Sequence, residues 1–233
     1  MRSKEFANFT YDLTPANKLY LENFVANVCA ISTQEACNYI RELETDAQLA
    51  VHIQKELQTH RRGNEIDGEA FYGRRLGWYA IVRAMKPALV VETGTEKGLG
   101  SLVIAAALLK NGHGRLITID IEPMSGLLIT GEYEKVTQRT LCDSLMAISQ
   151  LDSIDLFIHD SDHSASHEAS ELSLVEQRLS ANGIVLSDNS HVTTELAEWS
   201  MRNNRRFFYF SEQPLNHWYP GGGIGASVRD TRE

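Results

Sequence analysis

The chain has 233 residues, 42% of them hydrophobic and 23% charged, with a formal net charge of −9. That is enough apolar material for a full core, yet no run approaches the eighteen or so apolar residues of a membrane span. The acidic balance argues against nucleic acid, whose phosphates require basic patches, and the pairs Arg61-Arg62, Arg74-Arg75 and Arg205-Arg206 read as solvated faces. Cys29, Cys37 and Cys142, an odd number without short paired spacings, give neither a disulfide framework nor a zinc site and read as small buried side chains. The first residues carry no apolar block of signal-peptide type. A cytoplasmic protein is expected, with no membrane or nucleic-acid partner and with self-association left open.

In chain order, Pro15 to about Ile31 has helical composition, with Leu19, Leu21, Phe24, Val25 and Val28 apolar. Ser32-Thr33-Gln34-Glu35 is a capping-box pattern opening a second helix that carries Ile40, Leu43, Leu49, Ile53 and Leu57. Gly63, Gly68 and Gly73 punctuate a connection that is either a mobile lid or a plain linker. Residues 1–74 are thus expected to form a helical cap with its lid loop, and 75–233 the main domain. A third helix, about Arg75 to Met85, ends before Pro87.

From there strand and helix patterns alternate, which argues for a mostly parallel sheet with right-handed crossovers. The expected strands are 88–92, 115–120, about 136–141, 154–159 and 183–187. Their crossover helices are about 100–110, around 125–133, 144–150 and 166–180, the last with a stripe of Leu172, Val175 and Leu179. Arg206 to Phe210 and Ile224 to Val228 look like a final antiparallel pair on the sheet edge.

The organising stretch is Val90 to Ser101, Val-Val-Glu-Thr-Gly-Thr-Glu-Lys-Gly-Leu-Gly-Ser: a strand, a turn with Gly94, Gly98 and Gly100, and a helix start. Glycine serves where backbone takes positive φ or lies against a ligand, and a helix N-terminus offers unpaired N–H groups. A small polar ligand is expected over Gly94 to Gly100. A dinucleotide fingerprint would have glycine at position 96, and Glu96 would repel the pyrophosphate. In an open α/β sheet ligands bind beyond the carboxyl ends of the strands. Those ends carry Glu92, then Asp120, whose carboxylate suits ribose hydroxyls, then Asp143-Ser144, which either meets an adenine edge or caps the next helix. Strands four and five end at Asp160-Ser161-Asp162-His163 and Asp188-Asn189. As neighbours they would bring Asp160, Asp188 and Asn189 around one point, a hard oxygen set suited to Mg²⁺ or a similar divalent cation.

The motif Glu92-x-Gly94-x-x-x-Gly98-x-Gly100-Ser101 resembles the first motif of class I S-adenosylmethionine-dependent methyltransferases, and the acidic strand ends resemble the metal-dependent O-methyltransferases of the catechol type and their relatives acting on antibiotic sugars and other natural products. The resemblance spans about Ala88 to Asn189 and departs from the family at Gly100 and Cys142. It implies a Rossmann-like methyltransferase fold with a helical cap and transfer of methyl from S-adenosylmethionine to a small-molecule hydroxyl. It further implies a cofactor held by Glu92, Gly94, Thr95, Gly98, Gly100, Ser101, Asp120, Asp143, Ser144 and Asp160, a divalent cation on Asp160, Asp188 and Asn189, and catalysis by Asp160 and His163, the base three residues beyond Asp160.

Other readings stand beside it. The metal-binding hydroxylases of cephalosporin biosynthesis share such a site, and a non-catalytic cofactor-binding module acting through a partner would keep the same glycine turn. His163 and His167 with Glu168 form a hydrolase alternative, and His163 alone also reads as a cap or surface residue. Asp162 and His191 read as loop residues, and Trp218, Tyr219 and Gly221 to Gly223 either wall a substrate pocket or form an edge turn with packed aromatics.

Overall fold

A computed structural model describes residues 11–60 and 70–230. Arg61, Arg62, Gly63 and Gly68 lie outside the described residues. Three helices come first, α1 (Pro15–Cys29), α2 (Thr33–Glu44) and α3 (Ala47–Thr59), then α4 (Arg75–Met85). There follow β1 (Leu89–Thr93), α5 (Leu99–Asn111), β2 (Arg115–Asp120), β3 (Thr137–Leu141), α6 (Ser144–Ser149) and β4 (Ile154–His159). The chain closes with α7 (Ala165–Glu176), β5 (Leu179–Asp188), α8 (Glu195–Arg202), β6 (Arg205–Ser211) and β7 (Gly223–Arg229).

The strands form one sheet in the order β3-β2-β1-β4-β5-β7-β6. β1 pairs parallel with β2 and β4, β2 with β3, and β4 with β5. β7 runs antiparallel to both β5 and β6. Alternate residues of each strand face opposite sides. Val90, Leu116, Leu156, Ile158, Ile184 and Leu186 join a core with α1 to α5. Val91, Ile117, Phe157 and Val185 join another with α6, α7 and α8. The early helices therefore share one core with α4 and α5.

Four expectations of local structure change. The capping box at Ser32 does open α2, with Ser32 Oγ accepting from the N–H of Glu35 at 3.1 Å, but the helix stops at Glu44. Asp46 starts α3 by accepting from the N–H groups of Gln48 and Leu49, the work of an N-cap side chain. The segment around 125–133 is a turn and not a helix, because Gly126 and Gly131 both adopt positive φ, 76° and 63°; a short 3₁₀ turn follows at Tyr133–Val136. Leu179 belongs to β5 rather than to the stripe of α7, since a 3.6-residue period cannot tell the last helical turn from a strand start. Finally, α8 intervenes before β6, where no helix was expected.

Candidate active site

The turn after β1 is shaped by glycine contacts. Gly94 has a φ of 86°, and a Cβ there would strike the backbone carbonyl of Asp160 at the end of β4. Only glycine lets these two strand ends lie so close. Gly98, φ 89°, begins α5. A Cβ on Gly100 would lie 2.5 Å from Glu92 Oε1 and 2.6 Å from the Trp78 ring.

Beneath the turn sits a buried polar floor. Glu92 Oε2 accepts from Thr118 Oγ1 at 2.7 Å and from Ser101 Oγ, and Thr95 Oγ1 lies 2.6 Å from Thr118 Oγ1. Burial pushes the Glu92 carboxyl up to about 7. Of the residues expected to hold a cofactor, Glu92, Thr95 and Ser101 thus support the turn from below, while Gly98 and Gly100 give it its shape.

Above it a cavity of about 390 Å³ is lined by the expected Gly94, Asp120, Asp143, Ser144 and Asp160. Glu96, Ile119, Ile121, Cys142, Ser161, Asp162 and His167 complete its wall; Cys142 is partly exposed there, as Cys29 is elsewhere, and of the three only Cys37 is buried. Asp120 is fixed by two backbone donors, the N–H groups of Glu96 and Glu122, each at 2.8 Å. Asp143 caps α6 by accepting from the N–H of Met146 at 3.2 Å, so capping and lining coexist in one side chain.

At the cavity's end, Asp160, His163 and Asp188 each bring one donor atom within 4.8 Å of the others. Asn189, in the left-handed region at φ 53°, donates from Nδ2 to His163 Nε2 at 3.0 Å. The parallel pairing of β4 and β5 places these residues side by side. Burial, then the neighbouring Asp188, raises Asp160 well above the ordinary carboxyl range. Burial opposes the charge on Asp188 too, but Arg74 outweighs it and holds that carboxyl low. For His163, burial lowers the ring below its ordinary value, which leaves a neutral imidazole at pH 7.

Arg74 and Arg75 are not a solvated face: they are 6% and 7% exposed. Arg74 grips both carboxylate oxygens of Asp188 through Nε and Nη2, and its Nη1 donates to Glu212 Oε2 at 2.7 Å and to Tyr11 Oη at 2.9 Å. Those acids stand 114 and 138 positions away in the chain, so nothing near Arg74 in sequence announces them. A second network lies under His163. Glu171 accepts from Thr93 and Ser161, each at 3.0 Å, and meets His159 Nδ1 at 2.7 Å and His167 Nε2 at 3.0 Å. Glu168 turns instead to Ser187 and Thr193, so His163, His167 and Glu168 do not converge as a hydrolase centre. His191 is exposed. Tyr219 packs on Tyr11 with ring centroids 5.5 Å apart, and Trp218 is 43% exposed beside it.

Residues 91–190 match the family model of a methyltransferase domain. No curated protein matches by sequence. Among solved structures, a Klebsiella pneumoniae protein proposed to be an O-methyltransferase superposes with a TM-score of 0.62 at 12% identity, over 82% of this chain and 94% of that one. The O-methyltransferase TomG of Streptomyces achromogenes, involved in tomaymycin synthesis and solved with S-adenosylmethionine, gives 0.57 at 14% identity, over 77% and 90%. A Geobacter sulfurreducens methyltransferase gives 0.55 at 19% identity, over 83% and 96%. The chain has the Rossmann-like fold of class I methyltransferases, as the resemblance of its glycine turn implied.

Proposed function

We propose that the chain transfers a methyl group from S-adenosylmethionine to a hydroxyl of a small molecule. The observation that carries this reading is one continuous site: a cavity running from Asp120 and Asp143 past Gly94 to Asp160, ending beside a neutral His163. Asp120 and Asp143 face where the adenosine would lie, and the amino-acid end would rest on the glycine turn. The O-methyltransferase TomG, whose fold this chain resembles, was solved with S-adenosylmethionine.

Methyl transfer from a sulfonium is a direct displacement, and a neutral hydroxyl is a poor nucleophile. His163 takes the hydroxyl proton as the oxygen attacks, a task suited to an imidazole neutral near pH 7. The proton goes to Nε2, the nitrogen with the lone pair, which Asn189 Nδ2 engages in the resting site and releases to the acceptor hydroxyl. Holding oxygen, methyl and sulfur in line supplies a large share of the acceleration. Asp160, Asp188 and Asn189 offer hard oxygen donors of the kind a divalent cation takes, but a cation there would have to displace Arg74, which holds both Asp188 oxygens. Bound there, the cation would lower the pKa of the acceptor hydroxyl. Arg74 already places a positive charge on Asp188, so chelation is the direct measure of what a metal adds.

Calorimetry with S-adenosylhomocysteine and with NAD tests the cofactor, and release of S-adenosylhomocysteine in the presence of hydroxylated acceptors tests the reaction. Tighter binding of NAD would sink the proposal. Turnover that survives chelator unchanged would remove the metal and leave Arg74 and His163.

A further inference from the structure

Both carboxylate oxygens of Asp188 are taken. Arg74 holds them through Nε and Nη2, the two-pronged pairing in which a guanidinium matches a carboxylate. The guanidinium is itself pinned from the other side. Its Nη1 donates to Glu212 Oε2 at 2.7 Å and to Tyr11 Oη at 2.9 Å, and the Arg74 backbone N–H donates to Glu212 Oε1 at 2.8 Å. Arg74, Asp188 and Glu212 are all buried. Drawing the guanidinium off Asp188 would therefore leave a buried charge without its partner, which is costly.

The other expected ligands do not make up for that cost. A hard divalent ion gathers several oxygens. Around the common point Asp160 and Asp188 bring one oxygen each, and the third atom is a ring nitrogen of His163. Asn189 turns Nδ2 to His163, and its Oδ1 lies toward Gly222, 2.6 Å from where a Cβ would stand. With Asp188 engaged, Asp160 is the one carboxylate of the set left for an ion. The charge of Arg75 also acts on Asp160 and Asp188, so a dication would meet two guanidinium charges already in place.

We infer that the Arg74 guanidinium is the resident cation of this site, standing where the resemblance to metal-dependent O-methyltransferases puts a divalent ion. The residues present do not fit the metal. For its consequence the inference rests on the methyltransferase reading above. With no ion between acceptor and protein, the hydroxyl proton passes to His163 alone. The acceptor then needs a single oxygen, because a second one beside it serves only to chelate a metal. The substrate class is a lone hydroxyl, and a vicinal diol gains nothing from its neighbour.

Titration with Mn²⁺, followed by loss of the free-ion EPR signal, tests the inference. The parent, alone and with S-adenosylhomocysteine, should bind no more Mn²⁺ than Asp188→Asn does. Arg74→Ala frees both Asp188 oxygens and leaves room for an ion with its waters. It should bind Mn²⁺ at least about tenfold more tightly than the parent and melt higher in its presence, and adding Asp188→Asn should remove both gains. In a screen for S-adenosylhomocysteine release, lone hydroxyls should serve as well as vicinal diols. Mn²⁺ binding by the parent that Asp188→Asn abolishes would overturn the inference and leave the methyltransferase reading standing. So would a folded Arg74→Ala that gains no affinity, or a preference for diols that chelator removes. If Arg74→Ala does not fold, the titration of the parent still decides. Failure of the parent to bind S-adenosylhomocysteine would instead sink the methyltransferase reading, whatever the Mn²⁺ titration gives.

Discussion

Glu92 and His163 are both moved from their ordinary pKa values by burial, in ways that can be measured separately. Glu92 in the folded chain titrates at about 7 against an ordinary 4.5. Between those values the folded protein keeps a proton that the unfolded chain has lost, so stability declines as pH rises through that window. Glu92→Gln lacks this dependence. The parent should therefore lose up to about 3 kcal/mol relative to Glu92→Gln between pH 4.5 and 8, read from urea unfolding of the ligand-free proteins. A gap that stays constant with pH would show that Glu92 is ionised in the folded state. His163 bears on rate instead. His163→Ala should lower turnover by about 10²- to 10⁴-fold with cofactor affinity unchanged. In the parent the rate should fall as pH drops through the lowered pKa of the ring, since only the neutral imidazole accepts a proton. Acceptors already ionised should be hurt less by the substitution. Equal losses for ionised and neutral acceptors, with a lower melting temperature, would make His163 a structural residue.

At the scale of elements, what was legible in the sequence is what local chemistry determines. The apolar run before Gly94, the glycine spacing and the acids at strand ends placed β1, β2, β4 and β5 and the cavity between them, because in a parallel sheet the strand ends converge whatever the intervening sequence. The antiparallel edge of β6 and β7 was visible for a related reason: two short apolar runs separated by a glycine-rich segment. What escaped depended on backbone angles or on distant partners. The turn at 125–133 has apolar residues enough for a helix, and only the positive φ of Gly126 and Gly131 decides otherwise. The break between α2 and α3 rests on Asp46, a cap inside an otherwise continuous apolar pattern. In the site, Asp120 and Asp143 were readable from position. The roles of Arg74 and Glu212 were not, since each is defined by side chains far away in the chain.

Over the whole molecule, those distant contacts join the N-terminal helices to the far edge of the sheet. The stretch that leads into α1 and the first turn of α1 are stitched to the end of β6 and the loop after it: Leu13 bridges Pro214, Asn17 Nδ2 donates to the Ser211 carbonyl at 2.8 Å, and Tyr11 Oη donates to Glu212 Oε1 at 2.7 Å. Arg74 closes the circuit by joining Glu212 to Asp188, at the end of β5. Glu212 also accepts from the backbone N–H of Arg74 at 2.8 Å and of Gly222 at 2.9 Å, so every oxygen in this buried cluster is engaged. A buried ion pair is a weak stabiliser against an apolar substitute, but removing one partner leaves a charge with no compensation. Arg74→Met strands two carboxylates at once. It should cost about 3–5 kcal/mol, seen as a lower melting temperature at neutral pH. The loss should shrink as pH falls, because Arg74 is what holds the Asp188 carboxyl low, and without it protonation removes the stranded charge. Adding Asp188→Asn to Arg74→Met should restore part of the stability, since one stranded charge is removed. If Arg74→Met melts like the parent, or if the second substitution restores nothing, Arg74 does not hold these elements together and its contacts with Asp188 and Glu212 are energetically idle.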